Sequence, residues 1–297
     1  MWVFLNDRFV REEEAVVSVF DHGFLYGDGV YETLRSYGDR IFMRDQHLGR
    51  LRRSAEAIGL QVPIPGKQWP SLLHEAMRRN EVGTDRSDAY LRITISRGVG
   101  EIGLDPGLCP KPTTVIMTKT LAPYPTSLRQ QGVSLTVAKT KRNLPEALSP
   151  HIKATNFLNN ILAKRESIAA GTFDSLLLNW RDELTECTIS NLFLVSKGML
   201  KTPALTCGIL DGITRGFVLA LAREAGLASE EGAYGVEALA LADECFVTNT
   251  SMEIMPVTRL DGAPIGNGRP GPITNRLHSL FISNRARFLE PPSRPQD

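Results

Sequence analysis

Paired cysteines are missing from this 297-residue chain: Cys109, Cys187, Cys207 and Cys245 are widely spaced and form no CxxC motif. That spacing predicts a reduced, cytoplasmic protein without a disulfide framework or a structural zinc site. The histidines, His22, His47, His74, His151 and His278, offer no ligand-spaced pair, so no metal is expected. No apolar run approaches the roughly 18 residues of a membrane span, and the apolar start ahead of Asn6-Asp7-Arg8 is too brief for a secretory signal. An excess of one charge is also lacking. The 34 basic and 33 acidic residues are well mixed, which argues against nucleic acid or a membrane surface as a partner. There is no internal repeat and no low-complexity block.

What is present is length for about two domains and, at 42% hydrophobic residues, enough apolar material for sizeable cores. Residues 2–10 read as a hairpin about Asn6-Asp7. A glycine-punctuated loop, residues 21–29, leads into an alternating strand over 30–37, which turns at Gly38-Asp39 into residues 40–43. A helix follows with Asp45 as its N-cap and Leu48, Leu51, Ala55 and Ile58 on one face. A second helix over 71–80 and strands over 89–96 and 113–120 complete a smaller N-terminal α/β domain, residues 1–120. Pro123 and Pro125 mark an interdomain linker over 121–131. The larger C-terminal domain, residues 132–289, reads as a strand over 133–140, a helix to about Ala170, and strands over 174–179 and 192–195. An amphipathic helix then ends near Gly226, strands 244–248 and 254–260 flank a loop, and a helix covers 272–288. Residues 290–297 read as a loose tail. The fold class is mixed α/β.

One motif misleads. Gly98-Val-Gly100-Glu-Ile-Gly103 matches G-x-G-x-x-G directly behind a strand. A dinucleotide fingerprint needs a helix next and an acidic residue about 20 positions on. Asp105-Pro106-Gly107, Pro110 and Pro112 block that helix, and no Asp or Glu lies between Asp105 and Glu146.

Lys153 stands behind the turn signal Ser149-Pro150 and ahead of Phe157, Leu158, Ile161 and Leu162, which recur at helical spacing. A lysine at such a strand-to-helix junction can project inward, and in an apolar pocket its amine becomes a nucleophile. Pattern alone favours a solvated lysine at a helix start. The segment Ile152-Lys-Ala-Thr-Asn-Phe-Leu-Asn-Asn-Ile-Leu-Ala-Lys164, however, resembles the lysine segment of fold-type IV pyridoxal-phosphate enzymes, the class IV aminotransferase family. That family holds branched-chain aminotransferases, D-amino acid aminotransferases and aminodeoxychorismate lyases. The similarity runs from about Phe4 to about Leu280, and several separated motifs agree in order.

The resemblance implies a fold-type IV architecture with pyridoxal 5′-phosphate at the interface of two domains. Lys153, in the C-terminal domain, would carry the cofactor as a Schiff base. It also implies a homodimer in which the partner subunit supplies part of the pocket. His47-Leu-Gly-Arg50-Leu51 resembles the family's His-x-x-Arg-Leu, whose arginine holds the phosphate; Arg50 otherwise reads as one more solvated arginine beside Arg52 and Arg53. Glu186 resembles the acid of Thr-Glu-x-x-x-x-Asn that meets the pyridine nitrogen. Gly212-Ile213-Thr214 would bind the phosphate with helix-terminal N–H groups and a hydroxyl. Leu210 would pack near the ring, and Thr250 would add a second phosphate hydroxyl; Asp211 reads as an N-cap. Tyr26 and Tyr31 would face the substrate side.

Tyr90-Leu-Arg92 resembles the Tyr-x-Arg of the branched-chain enzymes, where it helps form the substrate pocket. Ile102 and Leu104 stand where D-amino acid enzymes carry an Arg-x-His carboxylate trap, which disfavours that activity. The expected reaction is therefore transamination between a branched-chain L-amino acid and 2-oxoglutarate. Phe157 departs from that branch, which has a tyrosine there, and Thr33 resembles the threonine of aminodeoxychorismate lyases. Release of 4-aminobenzoate and pyruvate is thus the alternative, and a non-enzymatic cofactor-binding relative a third reading.

Overall fold

Alternation along the longer strands of the first 120 residues builds an antiparallel sheet with a largely apolar face. The computed structural model describes residues 1–84 and 87–290, so the expected tail past Glu290 lies outside the described residues. Contacts divide the chain into two units. Met1–Ala122, Ile152–Asn156 and residues 287–290 form the first, and Pro123–His151 with Phe157–Ala286 form the second. The lysine segment thus groups with the first unit, whereas the sequence expectation had Lys153 in the C-terminal domain. The physical reason is backbone pairing: Ala154 bridges Val30, and Thr155 N–H donates to Gly29 O at 2.9 Å.

In the first unit the strands are β1 (Trp2–Leu5), β2 (Arg8–Arg11), β3 (Gly29–Tyr37), β4 (Arg40–Ile41), β5 (Ala89–Ser96) and β6 (Thr113–Thr120). They pair antiparallel in the order β2-β1-β6-β5-β3-β4. The helices are α1 (His22–Tyr26), α2 (Arg44–Ala57) and α3 (Trp69–Arg79). Val30 and Leu34 of β3 and Leu91, Ile93 and Ile95 of β5 share a core with Leu48, Leu51 and Ala55 of α2 and Trp69 and Leu73 of α3. Because side chains alternate along a strand, Tyr31, Thr33, Tyr90 and Arg92 stand on the opposite face.

Two local expectations change. The loop at 21–29 contains α1, capped by the Asp21 side chain on Gly23 N–H and ended by Gly27 at φ 70. Helix α2 starts one residue before Asp45; its N-cap is Met43, left-handed at φ 49, with no side-chain cap. Met43 N–H is held instead by Phe288 O at 3.0 Å, and Asp45 serves in the first turn, where a negative charge suits the dipole.

The second unit comprises α4 (Thr126–Gln131), inside the expected linker, then β7 (Val133–Val137), α5 (Leu158–Ala170), β8 (Asp174–Leu178), β9 (Leu184–Cys187), β10 (Asn191–Ser196), β11 (Met199–Pro203), α6 (Ile213–Glu224), β12 (Ser229–Gly232), α7 (Glu237–Ala240), β13 (Glu244–Asn249), β14 (Glu253–Leu260), β15 (Ala263–Pro264) and α8 (Pro272–Asn284). The strand order is β12-β11-β10-β13-β14-β7-β8-β9, with β15 on β14. Strand β9 also meets β10 at Glu186↔Asn191, so six strands close into a ring. Its core includes Leu135, Leu176, Leu184, Leu192, Val247 and Met255. Helix α5 forms where its periodicity predicts, but it turns small residues, Ala163 and Ser167, inward. Leu158 (66% exposed), Ile161 (52%) and Leu162 (42%) face outward. At α6 the N-cap is Gly212, without a side-chain cap, in place of the expected Asp211. Among the described residues no helix is long and apolar enough to cross a membrane.

Candidate active site

Lys153 sits at the centre of a tight turn in which Ala154 N–H donates to Ile152 O at 2.9 Å, with α5 starting only at Leu158. Its carbonyl accepts from Tyr31 N–H at 3.0 Å and its own N–H donates to Ser54 Oγ at 3.1 Å. Both backbone groups are therefore tied, one to β3 and one to α2. Its Nζ donates to Tyr31 OH at 3.2 Å and lies 4.4 Å from the centre of that ring. The Arg92 guanidinium lies 4.1 Å from the same centre. Burial pushes the Tyr31 phenol well above its ordinary value, with Arg92 pulling the other way, so the group stays protonated.

Beneath this face lies a buried polar group. Glu32 is fully buried, and its Oε1 accepts from Arg50 Nε at 2.7 Å. Its Oε2 accepts from Arg50 Nη2 at 2.9 Å and from His47 Nδ1 at 2.8 Å. Burial alone would raise the Glu32 carboxyl, but Arg50 and His47 outweigh it and hold the group well below the carboxylate range. An ionised carboxylate only accepts, so His47 Nδ1 carries the proton. Burial lowers the His47 pKa and Glu32 opposes it; the net shift is downward and the imidazole stays neutral. Arg50 thus has two nitrogens on Glu32 and is buried, not one of a solvated cluster.

The remaining candidates of this unit are placed as follows. Thr33 Oγ1 and Tyr90 OH lie 3.4 Å apart on the Tyr31 face. Tyr26 sits on α1, its ring edge-on to His22, and its hydroxyl accepts from Gly103 N–H at 3.2 Å. It braces the 98–112 loop, in which the G-x-G-x-x-G match is followed by no α-helix before β6. Ile102 and Leu104 of that loop are exposed.

In the second unit Glu186 closes the ring with Asn191. Its Oε1 accepts from Arg142 Nε at 3.0 Å and Nη2 at 2.9 Å. Its Oε2 accepts from Asn191 Nδ2 at 3.1 Å and from Leu210 N–H at 3.0 Å. Glu186 is buried, unlike Glu183, which pairs with exposed Arg181. Asn191 Nδ2 also donates to Leu210 O at 2.9 Å. A β-carbon at Gly212 would overlap Asn191 Oδ1, so only glycine leaves this close approach intact. Next come Ile213 and Thr214, the first turn of α6, whose leading N–H groups have no partner within the helix. Thr250 lies in the turn between β13 and β14, which Asn249 Oδ1 fixes by accepting from Ser251 and Met252 N–H at 3.0 and 2.8 Å.

Sequence reasoning left Glu32, Ser54, Arg142 and Asn191 without roles. Glu32 carried a signal: it interrupts an otherwise apolar inner face, Val30, Leu34. Arg142 carried none, since Lys139-Thr-Lys-Arg142 reads as a solvated basic run. Each unit carries donors of a kind that suits pyridoxal phosphate: the first an amine for the aldehyde, the second an acid held on both oxygens for the ring nitrogen and a glycine-opened helix terminus for the phosphate. Among the described residues no group of three His, Cys, Asp or Glu side chains could hold a metal.

Comparison with known proteins points to one family. The class IV amino-transferase family model matches residues 29–260. A Methanocaldococcus jannaschii protein, provisionally named branched-chain-amino-acid aminotransferase, is 38% identical over 97% of this chain and 98% of its own. The aminodeoxychorismate lyase of Bacillus subtilis is 34% identical over 94% and 93%. Among solved structures, the T.th. branched-chain amino acid aminotransferase with pyridoxamine 5′-phosphate matches with a TM-score of 0.91 at 28% identity, over 98% of each chain.

Proposed function

Because the chain belongs to the class IV aminotransferase family, we propose that it moves amino groups between a branched-chain L-amino acid and 2-oxoglutarate, with pyridoxal 5′-phosphate as cofactor. One observation carries the reading. Asn191 bonds both Glu186 and Leu210 O, which joins the acid to the approach of α6 in one rigid frame. An acid and an anion site so joined match the two ends of that cofactor.

When bound, the cofactor supplies an electron sink for the carbanion left by the departing α-proton. Glu186 would hold a proton at the ring nitrogen, and Arg142 and Asn191 orient Glu186. Ile213 N–H, Thr214, Thr250 and Arg50 would hold the phosphate, and Leu210 would pack near the ring. Lys153 would be the residue that holds the aldehyde, and its Nζ would move the substrate α-proton as general base. Tyr26, Tyr31, Thr33, Tyr90 and Arg92 form the substrate side. Arg92 contributes a positive charge suited to a dicarboxylate keto acid.

The working form is a homodimer. The outward stripe Leu158, Ile161, Leu162 and Ile168 of α5 supports this, since contiguous exposed apolar side chains mark interaction surfaces. Phe20 and Phe24 of the first unit are likewise exposed. The compartment is the cytoplasm, in keeping with four free cysteines.

The test is borohydride reduction of the holoprotein, mapping of the tagged lysine, and assay of branched-chain keto acid amination by glutamate. A tag on a residue other than Lys153, or a featureless cofactor spectrum, overturns the proposal. The lyase reading is favoured by the paired hydroxyls of Thr33 and Tyr90 and would yield pyruvate and 4-aminobenzoate from aminodeoxychorismate. A cofactor spectrum with neither activity would leave the non-enzymatic reading.

A further inference from the structure

Consecutive residues on β3 point to opposite faces, and two of them bear on Lys153 from different directions. Tyr31 acts directly, through its amide and its hydroxyl. Glu32 points the other way, onto α2. There His47, Arg50 and Ser54 follow at intervals of three and four residues, one above another on a single helix stripe, and all three are buried. The first two converge on the Glu32 carboxylate, and the third accepts the Lys153 N–H. A circuit results: β3 to Glu32, to α2, to Ser54, to Lys153, and back to β3 through Tyr31.

We propose that Glu32 is a positioning residue for Lys153, fixing the height and rotation of α2 so that Ser54 meets the lysine N–H. Three N–H donors from two residues about one turn apart, gathered on one carboxylate, define that register. A slip of a single residue moves a helix by about 1.5 Å, whereas a working site tolerates about 0.5 Å. An apolar side chain at position 32 would fill the inner face as Val30 and Leu34 do, and would leave the helix free to settle by packing alone. Buried ion pairs are commonly no more stabilising than apolar replacements of similar volume. Retaining one here serves register. The same carboxylate takes the Nε–Nη2 edge of Arg50, which fixes how that guanidinium is presented.

The inference rests on Lys153 being the residue that takes the cofactor aldehyde. Its test uses Glu32→Gln, which keeps the volume and removes the charge, and Ser54→Ala, which removes only the last link. Leu73→Ala, in the same core but on α3, is the control for lost stability. Two quantities are read besides turnover: the dissociation constant of pyridoxal phosphate, from its absorbance, and the rate of borohydride trapping at Lys153. Glu32→Gln is expected to weaken cofactor binding on the order of tenfold and Ser54→Ala a few-fold, as hydrogen bonds to charged and neutral groups imply. Both should slow trapping, whereas Leu73→Ala lowers Tm and leaves both quantities unchanged. Wild-type binding and trapping in the Glu32 and Ser54 variants overturns the inference. So does equal weakening by Leu73→Ala. If Glu32→Gln does not fold, His47→Gln and Ser54→Ala decide by the same criteria. Trapping of the wild type elsewhere than Lys153 would instead sink the functional proposal.

Discussion

Tyr31 and Lys153 are bonded to each other twice: the Tyr31 amide donates to the Lys153 carbonyl at 3.0 Å, and Lys153 Nζ donates to the Tyr31 hydroxyl at 3.2 Å. The first bond fixes where the lysine backbone runs and the second fixes where its amine points. Removing the hydroxyl separates the two. Tyr31→Phe should fold normally and keep the backbone bond, yet lose roughly three- to tenfold in kcat, as one lost hydrogen bond implies. Steady-state kinetics beside thermal melts check this; an unchanged kcat would remove Tyr31 from the machinery.

Gly212→Ala is the sharpest probe of the anion site. The added methyl displaces the Asn191 side chain and so disturbs Glu186 and Leu210 together. Cofactor affinity should fall by about tenfold or more, for the price of one carbon atom. Titration of the apoprotein with pyridoxal phosphate, followed by absorbance, gives the answer.

Acid should weaken the first unit in two stages. His47 is held below its ordinary 6.5, burial being the main cause, so the folded chain resists its protonation. The stability it contributes is present above 6.5 and is lost as pH falls below that value. Glu32 is held below its ordinary 4.5 because Arg50 and His47 outweigh burial. Its contribution is present above 4.5 and disappears as pH falls further, toward its folded value. Calorimetry of the apoprotein should show Tm declining from about pH 7 downward, and His47→Gln should flatten the upper stage. A Tm that rises on acidification contradicts both signs.

The outward face of α5 predicts a change of mass. Replacing Ile161, which is 52% exposed, with glutamate adds a charge to an apolar stripe without touching the core. Sedimentation should shift from dimer to monomer while circular dichroism is unchanged. A dimer that survives Ile161→Glu paired with Leu158→Asp places the interface elsewhere.

Much of the strand pattern was legible in the sequence because strands with one wet face alternate. Two strands of the first unit, Ala89–Ser96 and Thr113–Thr120, fall on the expected residues. The short strand Leu184–Cys187 was not legible, since it is buried along its whole length and reads like any polar-apolar turn. The motif residues were found by resemblance, and the residues that hold them were not. Arg142 and Ser54 act through partners far away in the chain, 44 and 99 residues distant, and no local spacing encodes such pairs. The direction of α5 was hidden for a related reason. Periodicity reports that a helix has an apolar side, not which neighbour covers it.

Closure of the six-strand ring by β9 and β10 bears on how this protein behaves when concentrated. A ring has no open border for a foreign strand to join, and the strands that branch from it end at the two-residue β15 and at β12, where Glu230 and Glu231 stand exposed. Glu230 on that four-residue border repels a second copy that approaches in register, while Glu231 is paired with Arg215. Strand exchange at the six ring strands would therefore have to begin with the ring coming apart.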